Sequence, residues 1–322
     1  MKMTPVTTAS VATRITTTTA TILSLALMTA SAYAAEPKVD FYGSVRIALD
    51  KKEEAMSSED ELSRIGVKAS KELDNGLTAV AQVEYEIGYD QKAPLELRLG
   101  YLGLKGSFGE IYHGSQTTVW HKFVRGAYFS DGADSLRMYT IRDDGLTQYY
   151  YKNGGFTFGA GVQTEDKDGN NVDTIQAGAE YKMGAFKGQI AYVQDKNNAG
   201  RNGDKDAGLL GARVWYNKDG LTLSAFTHRA DKNFDYKTSN ICAGEDTSTN
   251  GVYGGYKTGA HLVHARYAVN SCDGQDRESI KAEYVHYLDK AFQVWASFEQ
   301  LDDANGSSTS SDYMQLGARF DF

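Results

Sequence analysis

The last eleven residues of the chain, residues 312–322, read DYMQLGARFDF and decide the fold. Apolar side chains recur there at every second position, at Met314, Leu316, Ala318, Phe320 and Phe322. Successive side chains of an extended chain point to opposite sides, so all five lie on one face of a β-strand. The sequence therefore predicts that the chain ends in an amphipathic strand whose final residue is an apolar aromatic.

The same two-residue period appears in other segments of the chain. Residues 39–50 place Val39, Phe41, Val45, Ile47 and Leu49 on one face and Asp40, Tyr42, Ser44 and Arg46 on the other. Residues 76–88 repeat the alternation, with Leu77, Ala79, Ala81, Val83, Tyr85 and Ile87 opposite Thr78, Gln82, Glu84 and Glu86. This pattern predicts an all-β fold built from amphipathic strands.

Short turn-forming segments alternate with longer polar segments along the chain. The short ones are residues 73–76, 106–109, 152–155, 182–185, 217–220, 257–260 and 288–291. The longer ones are residues 51–61, 89–95, 116–145, 164–172, 194–207, 230–250, 270–278 and 301–311. They separate about sixteen strands of roughly ten residues, a length that crosses a membrane when tilted. Lipid offers a free strand edge no hydrogen-bond partner, so we predict a closed transmembrane antiparallel β-barrel with long external loops and short periplasmic turns.

The amino terminus has the layout of a signal peptide. Lys2 and Arg14 precede an apolar stretch at residues 20–30, which runs into Ala32-Tyr33-Ala34. The apolar stretch is too short to span a bilayer, and the small residues suit a signal peptidase. We predict cleavage after Ala34, which leaves residues 35–322 as a single exported barrel domain.

Composition agrees with an exported barrel and argues against one class of partner. Residues 35–322 carry 32 Lys and Arg against 42 Asp and Glu, a net charge of about −10. An acidic chain lacks the basic surface that binding to nucleic acid requires. The mean hydropathy of −0.47 and the 33 Gly and 21 Tyr suit a wall that alternates lipid-facing and water-facing side chains.

Several stretches together resemble one known family. They are DFYGSVRIALD from Asp40, SRIGVKASKELDNGLTAVAQVEYE from Ser63, LGYLGLKGSFGEIYHGSQ from Leu99, GGFTFGAGVQ from Gly154 and GARFDF from Gly317. The chain resembles the trimeric, sixteen-stranded general porins of Gram-negative bacteria, and is most similar to neisserial and other proteobacterial porins. The resemblance implies a homotrimer in the outer membrane whose water-filled pores let ions and small hydrophilic solutes diffuse passively. It implies neither a cofactor nor a catalytic site.

The terminal strand also resembles the strand by which the outer-membrane assembly machinery recognises barrels. Phe320 and Phe322 are the residues that carry this similarity. An ordinary amphipathic edge strand at the end of the chain would show the same alternation.

Four basic residues are predicted to line the pore. Arg46, Arg64, Lys68 and Arg98 each lie opposite apolar neighbours on their strand, such as Leu97, Leu99 and Tyr101 for Arg98. A barrel of this size encloses water, so all four should face the lumen. Polar lining alone would explain their position, but their concentration in the first four strands favours a role in selectivity.

The third long segment, residues 116–145, is unusually long for a connection without structure of its own. The resemblance implies that it folds into the lumen and narrows the pore, with Asp131, Asp134, Asp143 and Asp144 facing the wall arginines. Opposed rows of charge would order water and favour polar solutes. Arg125, Arg137 and Arg142 lie in the same segment, so the preference for anions or cations stays open, as does a solvated surface loop.

Two cysteines, Cys242 and Cys272, fall in the sixth and seventh long segments. Both segments lie on the same side of an antiparallel barrel, and an exported chain passes through an oxidising compartment. We therefore predict a Cys242–Cys272 disulfide, with two free thiols as the alternative.

The sequence gives little support to the hypothesis that the protein is an enzyme. His261 and His264 differ by three positions, so on one strand they face opposite sides and cannot bind one metal ion. His264 has no serine, cysteine or carboxylate at a recognisable spacing. A substrate-specific porin and a secreted β-sandwich adhesin remain as alternatives; Tyr149, Tyr150 and Tyr151 hint weakly at the former.

Overall fold

The computed structural model describes residues 36–52, 55–88, 95–126, 129–132, 136–164, 172–196, 207–232, 234, 245–302 and 310–322. The predicted signal peptide, residues 1–34, lies outside the described residues. Glu36–Phe322 forms one compact unit.

Antiparallel strands make up almost all of the described structure. The strands are β1 Lys38–Lys52, β2 Ala55–Asp60, β3 Arg64–Glu72, β4 Thr78–Glu86, β5 Glu96–Gly106, β6 Gly109–Thr117, β7 Arg142–Asn153, β8 Phe156–Gln163, β9 Thr174–Met183, β10 Phe186–Asp195, β11 Ala207–Lys218, β12 Leu221–Ala230, β13 Thr247–Thr258, β14 His261–Cys272, β15 Gln275–Tyr287, β16 Phe292–Asp302 and β17 Ser310–Asp321. One short helix, α1 Val119–Val124, lies between β6 and β7. No described helix is long and apolar enough to cross a membrane.

The sheet closes on itself through the two ends of the chain. β1 pairs antiparallel with β17, from Ser44 opposite Asp321 to Lys52 opposite Tyr313. Gly43 N donates to Phe322 O at 2.8 Å, and Phe322 N donates to Gly43 O at 3.1 Å. Since every other strand pairs with its sequence neighbour, the predicted closed barrel is confirmed.

The seventeen strands occupy sixteen positions around the barrel. β2 pairs with the second half of β1 and β3 with the first half, so the two form one interrupted barrel strand. At the interruption Ser63 Oγ accepts from Arg46 N at 2.8 Å and donates to Arg46 O, which satisfies backbone groups that a strand would have paired. The predicted loop at residues 51–61 is therefore wrong. Its polar sequence AMSSED is strand, because the outer ends of barrel strands stand in water.

A second predicted loop, residues 270–278, is also wrong. β14 and β15 stay paired to Cys272 and Gln275 and are joined by Asp273 and Gly274 alone. These two residues have φ angles of 41° and 75°, as a two-residue hairpin turn requires, and Asp-Gly suits that geometry. The seven predicted short turns all join consecutive strands.

The two faces of the sheet have opposite polarity. Apolar side chains point outward and stay exposed, for example Phe41 at 76% and Leu316 at 62%, while Arg46 and Arg98 on the inner face are each only 5% exposed. The predicted alternation in residues 39–50, 76–88 and 312–322 is confirmed. An apolar exterior around a polar interior suits lipid outside and water inside.

One strand departs from simple alternation. Glu84 pairs with Leu99 and Tyr85 with Leu97, so Arg98 is an extra residue in β5, a β-bulge. Beyond the bulge the side chains change faces, and Tyr101 turns inward, where its hydroxyl donates to Gln82 Oε1 at 2.6 Å. Leu99 and Tyr101 were predicted on the face opposite Arg98. Both predictions are wrong because the bulge shifts the period by one residue, and Leu99, opposite Glu84, also faces the lumen.

Candidate functional site

The segment between β6 and β7, residues 118–141, begins as a helix packed on the inner wall. We name this segment the inner loop. Thr118 caps α1 by accepting from His121 N at 3.1 Å. Phe123 lies on Gly159 of β8 and Gly178 of β9, where a Cβ atom would stand 2.7 and 2.4 Å from the ring. The absence of side chains at these two glycines therefore lets the helix approach the wall.

A second contact holds the inner loop against β15. Ser130 donates from both its backbone N and its Oγ to the carboxylate of Glu283, at 2.9–3.1 Å and 3.0 Å. Asp131 next to it accepts from Lys281 Nζ. Lys281 and Glu283 point inward, since Ile280 and Tyr284 are exposed on the outer face. The inner loop therefore lies inside the barrel at this point as well.

A buried histidine extends this second contact. Tyr253 Oη lies 3.1 Å from His264 Nδ1, and Glu283 Oε1 lies 2.8 Å from His264 Nε2. The ring of Phe129 stacks on His264 with centroids 4.6 Å apart. Sequence spacing missed this carboxylate partner because Glu283 lies opposite His264 on the neighbouring strand. We name Ser130, Asp131, His264, Lys281 and Glu283 the loop anchor.

The loop anchor has the residue types of a catalytic triad in the wrong order. Ser130 Oγ donates to Glu283, which stands between the hydroxyl and His264. A serine nucleophile needs the imidazole as its direct neighbour, so this arrangement binds the loop without activating the hydroxyl. Within the described ranges, no three His, Cys, Asp or Glu side chains are grouped so as to hold a metal ion.

The lumen also carries a cluster of four arginines on strands around the closure of the barrel, which we name the arginine wall. Its members are Arg46 on β1, Arg64 on β3, Arg98 on β5 and Arg319 on β17. Arg98 Nε lies 2.9 Å from Glu84, and its Nη1 contacts Glu86. Arg319 Nε lies 2.8 Å from Asp321. Arg319 was absent from the predicted pore-lining set, although it shares the polar face of the terminal strand.

Arg46 differs from the other arginines of the wall. Its Nε donates to Ser44 Oγ at 2.9 Å, and no carboxylate of the described residues lies within ion-pair distance of it. The neighbouring charges of Arg64, Arg319 and Arg98 act against its own, and the charge of Asp321 favours it from beyond ion-pair distance. Arg46 is therefore the least neutralised cation of the wall.

The fourth predicted basic residue, Lys68, lies beside the arginine wall. Its Nζ stands 4.6 Å from the ring centroid of Tyr42, and Tyr42 Oη donates to Glu84 Oε2 at 2.9 Å. The structure thus brings Arg46, Arg64, Lys68 and Arg98 into one region of the lumen.

The predicted acids do not form one row. Asp131 is bound to Lys281, and Asp143 accepts from Tyr139 Oη at 3.0 Å. Asp143 and Asp144 belong to β7 rather than to the loop, and Asp144 is exposed. Asp134 lies outside the described residues.

Two acids that the sequence did not single out lie close to the arginine wall. Gln315 Nε2 donates to Asp50 Oδ1 at 2.9 Å and to Glu61 Oε1 at 2.5 Å. Asp50 is four residues from Arg46 along β1, and Glu61 N donates to Arg46 O at 3.1 Å. These carboxylates mark the external side of the wall.

The remaining predicted residues lie at the two rims of the barrel. Cys272 is disulfide-bonded, and Cys242 lies outside the described residues. Phe320 and Phe322 are exposed on the outer face, and their ring centroids lie 6.0 Å apart. The Phe322 ring covers Gly43, where a Cβ atom would stand 2.3 Å from it.

Comparison with known proteins agrees with this architecture. The family described as Gram-negative porin matches residues 19–306. No curated protein matched the chain. OmpT of Vibrio cholerae, solved in a trimer form, has a TM-score of 0.71 at 20% identity, covering 89% of this chain and 99% of its own.

Two further solved structures share the fold. The anion-selective porin from Comamonas acidovorans has a TM-score of 0.72 at 21% identity, covering 89% of this chain and 100% of its own. Salmonella typhi OmpF in complex with daunomycin has a TM-score of 0.72 at 17% identity, covering 88% and 98%. With the family match over most of its length, the chain belongs to the Gram-negative porins and forms a passive channel through the outer membrane.

Proposed function

We propose that the gap between the inner loop and the arginine wall is the constriction of a general diffusion porin for ions and small hydrophilic solutes. The observation that carries this proposal is the double attachment of the inner loop. α1 rests on β8 and β9, and Ser130 and Asp131 bind β15, so the loop is attached to two separate parts of the inner wall. We infer that a solute passes between the loop and the arginine wall.

Charge at this gap supports an effect on ion selectivity. Three carboxylates, Glu84, Glu86 and Asp321, pair with arginines of the wall, and Arg46 has none of them as an ion-pair partner. Fixed charges at close range discriminate between permeating ions. We infer that the wall makes the channel more permeable to anions than the same channel with the wall neutralised.

The channel proposal is tested by current and by solute uptake. Refolded residues 35–322 in planar bilayers should give stepwise ohmic currents, and liposomes that contain the protein should take up neutral sugars at rates that fall smoothly with sugar size. Absence of currents from protein whose gel mobility changes on boiling would contradict a channel. Currents that saturate with one sugar alone would favour a substrate-specific porin instead.

We also propose that the barrel has no catalytic role. The order of Ser130, Glu283 and His264 supports this, because the hydroxyl is not placed on the imidazole. Hydrolysis of a p-nitrophenyl ester should therefore be equal for the wild type and Ser130→Ala. Faster hydrolysis by the wild type would contradict the proposal.

The oligomeric state and the disulfide are further proposals. The family resemblance and the trimer form of one solved neighbour support a homotrimer, which the mass of the unboiled protein in detergent tests. Since Cys272 is disulfide-bonded, we propose Cys242 as its partner within the chain. Mass spectrometry of unreduced peptides should find the two cysteines linked, and a link between two chains would contradict this pairing.

A further inference from the structure

The lumen holds a second feature on the side of the short turns, away from the arginine wall. A cavity of about 580 Å³ lies among β4 to β8 and α1. We name it the tyrosine pocket, and the lining residues that matter for its chemistry are Tyr101, Tyr112, Tyr150, Lys105, Glu110 and Lys122. The volume is large enough for a small organic solute.

Aromatic rings form a continuous surface in the tyrosine pocket. Tyr101 meets Tyr112 edge to face with centroids 5.5 Å apart, and Tyr112 meets Tyr150 edge to face at 6.3 Å. Phe123 of α1 stacks behind Tyr150 at 6.4 Å. Rings fixed in this way present faces and edges to a flat solute at little cost in entropy.

One cation in the pocket has no carboxylate partner. Lys122 Nζ lies 4.1 Å from the ring centroid of Tyr150 and 5.7 Å from that of Tyr112, and it donates to Gln148 Oε1 at 3.3 Å. Among the described residues, no Asp or Glu lies within ion-pair distance of it. Lys105, by contrast, is paired with Glu110 at 3.5 Å. Lys122 is thus free to bind an incoming anion.

We propose that the tyrosine pocket binds small carboxylate anions that carry a ring. The carboxylate accepts from Lys122 Nζ, and the ring lies against Tyr112 and Tyr150. A charge-assisted hydrogen bond gives the pocket its preference for anions, and the aromatic surface gives its preference for rings. An aromatic acid and a sugar acid share this chemistry.

A chain of hydrogen bonds connects the tyrosine pocket to the arginine wall. Tyr101 Oη donates to Gln82 Oε1 at 2.6 Å, Gln82 Nε2 donates to Tyr42 Oη at 2.5 Å, and Tyr42 Oη donates to Glu84. The chain holds Tyr101 and Tyr42 in place between the two regions. The arginine wall and the tyrosine pocket are thus neighbouring regions of one lumen.

The experiment measures binding to the refolded barrel in detergent by isothermal titration calorimetry, with benzoate, glucuronate and acetate as ligands. Benzoate or glucuronate should bind more tightly than acetate. Tighter binding of benzoate would identify an aromatic acid as the ligand, and tighter binding of glucuronate would identify a sugar acid. Lys122→Gln should weaken that binding about tenfold. Lys187→Gln is the matched control, because Lys187 is a lumen lysine on β10 that already has a carboxylate partner, Glu180, at 3.4 Å.

A second pair of variants tests the ring surface. Tyr150→Leu removes the ring under Lys122 and should weaken binding of the ring acid, whereas Tyr150→Phe keeps the ring and should bind as the wild type does. Equal affinity for all three acids would overturn the proposal. Equal affinity of the wild type and Lys122→Gln, while both give normal channel currents, would overturn it as well.

Discussion

Arg46 lies directly opposite Arg319 in the pairing of β1 with β17 that closes the barrel. Like charges that face each other across two strands destabilise a sheet. Asp321 pairs with Arg319 at 2.8 Å and favours the charge of Arg46 only from beyond ion-pair distance, while Arg46 Nε donates to Ser44 Oγ. The pairing thus places a charge without an ion-pair partner among the described residues in the lumen at a cost in stability, which fits a role for that charge in the channel.

This cost predicts the sign of a stability change. Arg46→Gln removes the repulsion and should leave the free energy of unfolding unchanged or raise it by up to about 1 kcal/mol. Arg98→Gln is the matched control. It leaves Glu84 and Glu86 without their arginine partner and should lower the free energy of unfolding by about 1–3 kcal/mol. Urea unfolding in lipid vesicles measures both, and an equal loss in the two variants would contradict the argument.

The loop anchor predicts an effect on the steadiness of the current. Glu283→Gln places an amide N–H₂ where Ser130 offers two donors, so the inner loop should loosen and single-channel currents should show more brief transitions. Glu180→Gln changes a lumen carboxylate that binds Gln189 and Lys187, away from the inner loop. If the currents of both variants show brief transitions equally often, the loop anchor is not what holds the inner loop in place.

The glycines under α1 predict an effect on pore size. Gly178→Val places carbon atoms where the Phe123 ring now lies, so α1 should move into the lumen and single-channel conductance should fall. Gly188→Val is the control on β10, where no atom lies within 4 Å of an added Cβ. Unchanged conductance of a correctly folded Gly178→Val protein would show that α1 does not border the constriction.

Lys122 predicts a pH dependence of the channel. Loss of hydration in the crowded lumen lowers the pKa of Lys122 from 10.5 to about 8, with nearby Glu110 only partly opposing the shift. The amine is therefore charged below about pH 7 and mostly neutral at pH 9, so anion permeability should fall as pH rises through this range. The titratable groups that face it are Glu110, Lys105, Tyr112 and Tyr150. Reversal potentials of Lys122→Gln should show a smaller step over this pH range, and a step as large as that of the wild type would contradict the assignment.

Much of the fold follows from sequence periodicity, and the two wrong loop predictions share a cause. Lipid on one side and water on the other impose a two-residue alternation, which is why the strands at residues 39–50 and 312–322 could be predicted from the sequence. Outside the membrane both faces of a strand are wet and the alternation fades, so β2 and the outer ends of β14 and β15 resembled loops. Asp273-Gly274 was a turn signal within the predicted loop at residues 270–278.

Less of the candidate site could be predicted. Periodicity alone placed Arg46 in the lumen, because the face on which a side chain lies depends only on the strand that carries the residue. Arg319 and Glu283 act through partners on neighbouring strands, and register is not visible in one sequence. The bulge at Arg98 inserts one residue without a sequence signal and so reversed the expected face of Tyr101.

The most direct test of the account is the reversal potential of single channels in a KCl gradient. The wild type is compared with the double variant Arg46→Ala and Arg64→Ala, and with Lys187→Gln, which removes a lumen charge away from the arginine wall. We predict that the double variant shifts the ratio of anion to cation permeability clearly toward cations while Lys187→Gln shifts it little. Open channels in the double variant with the selectivity of the wild type would contradict a constriction controlled by the arginine wall.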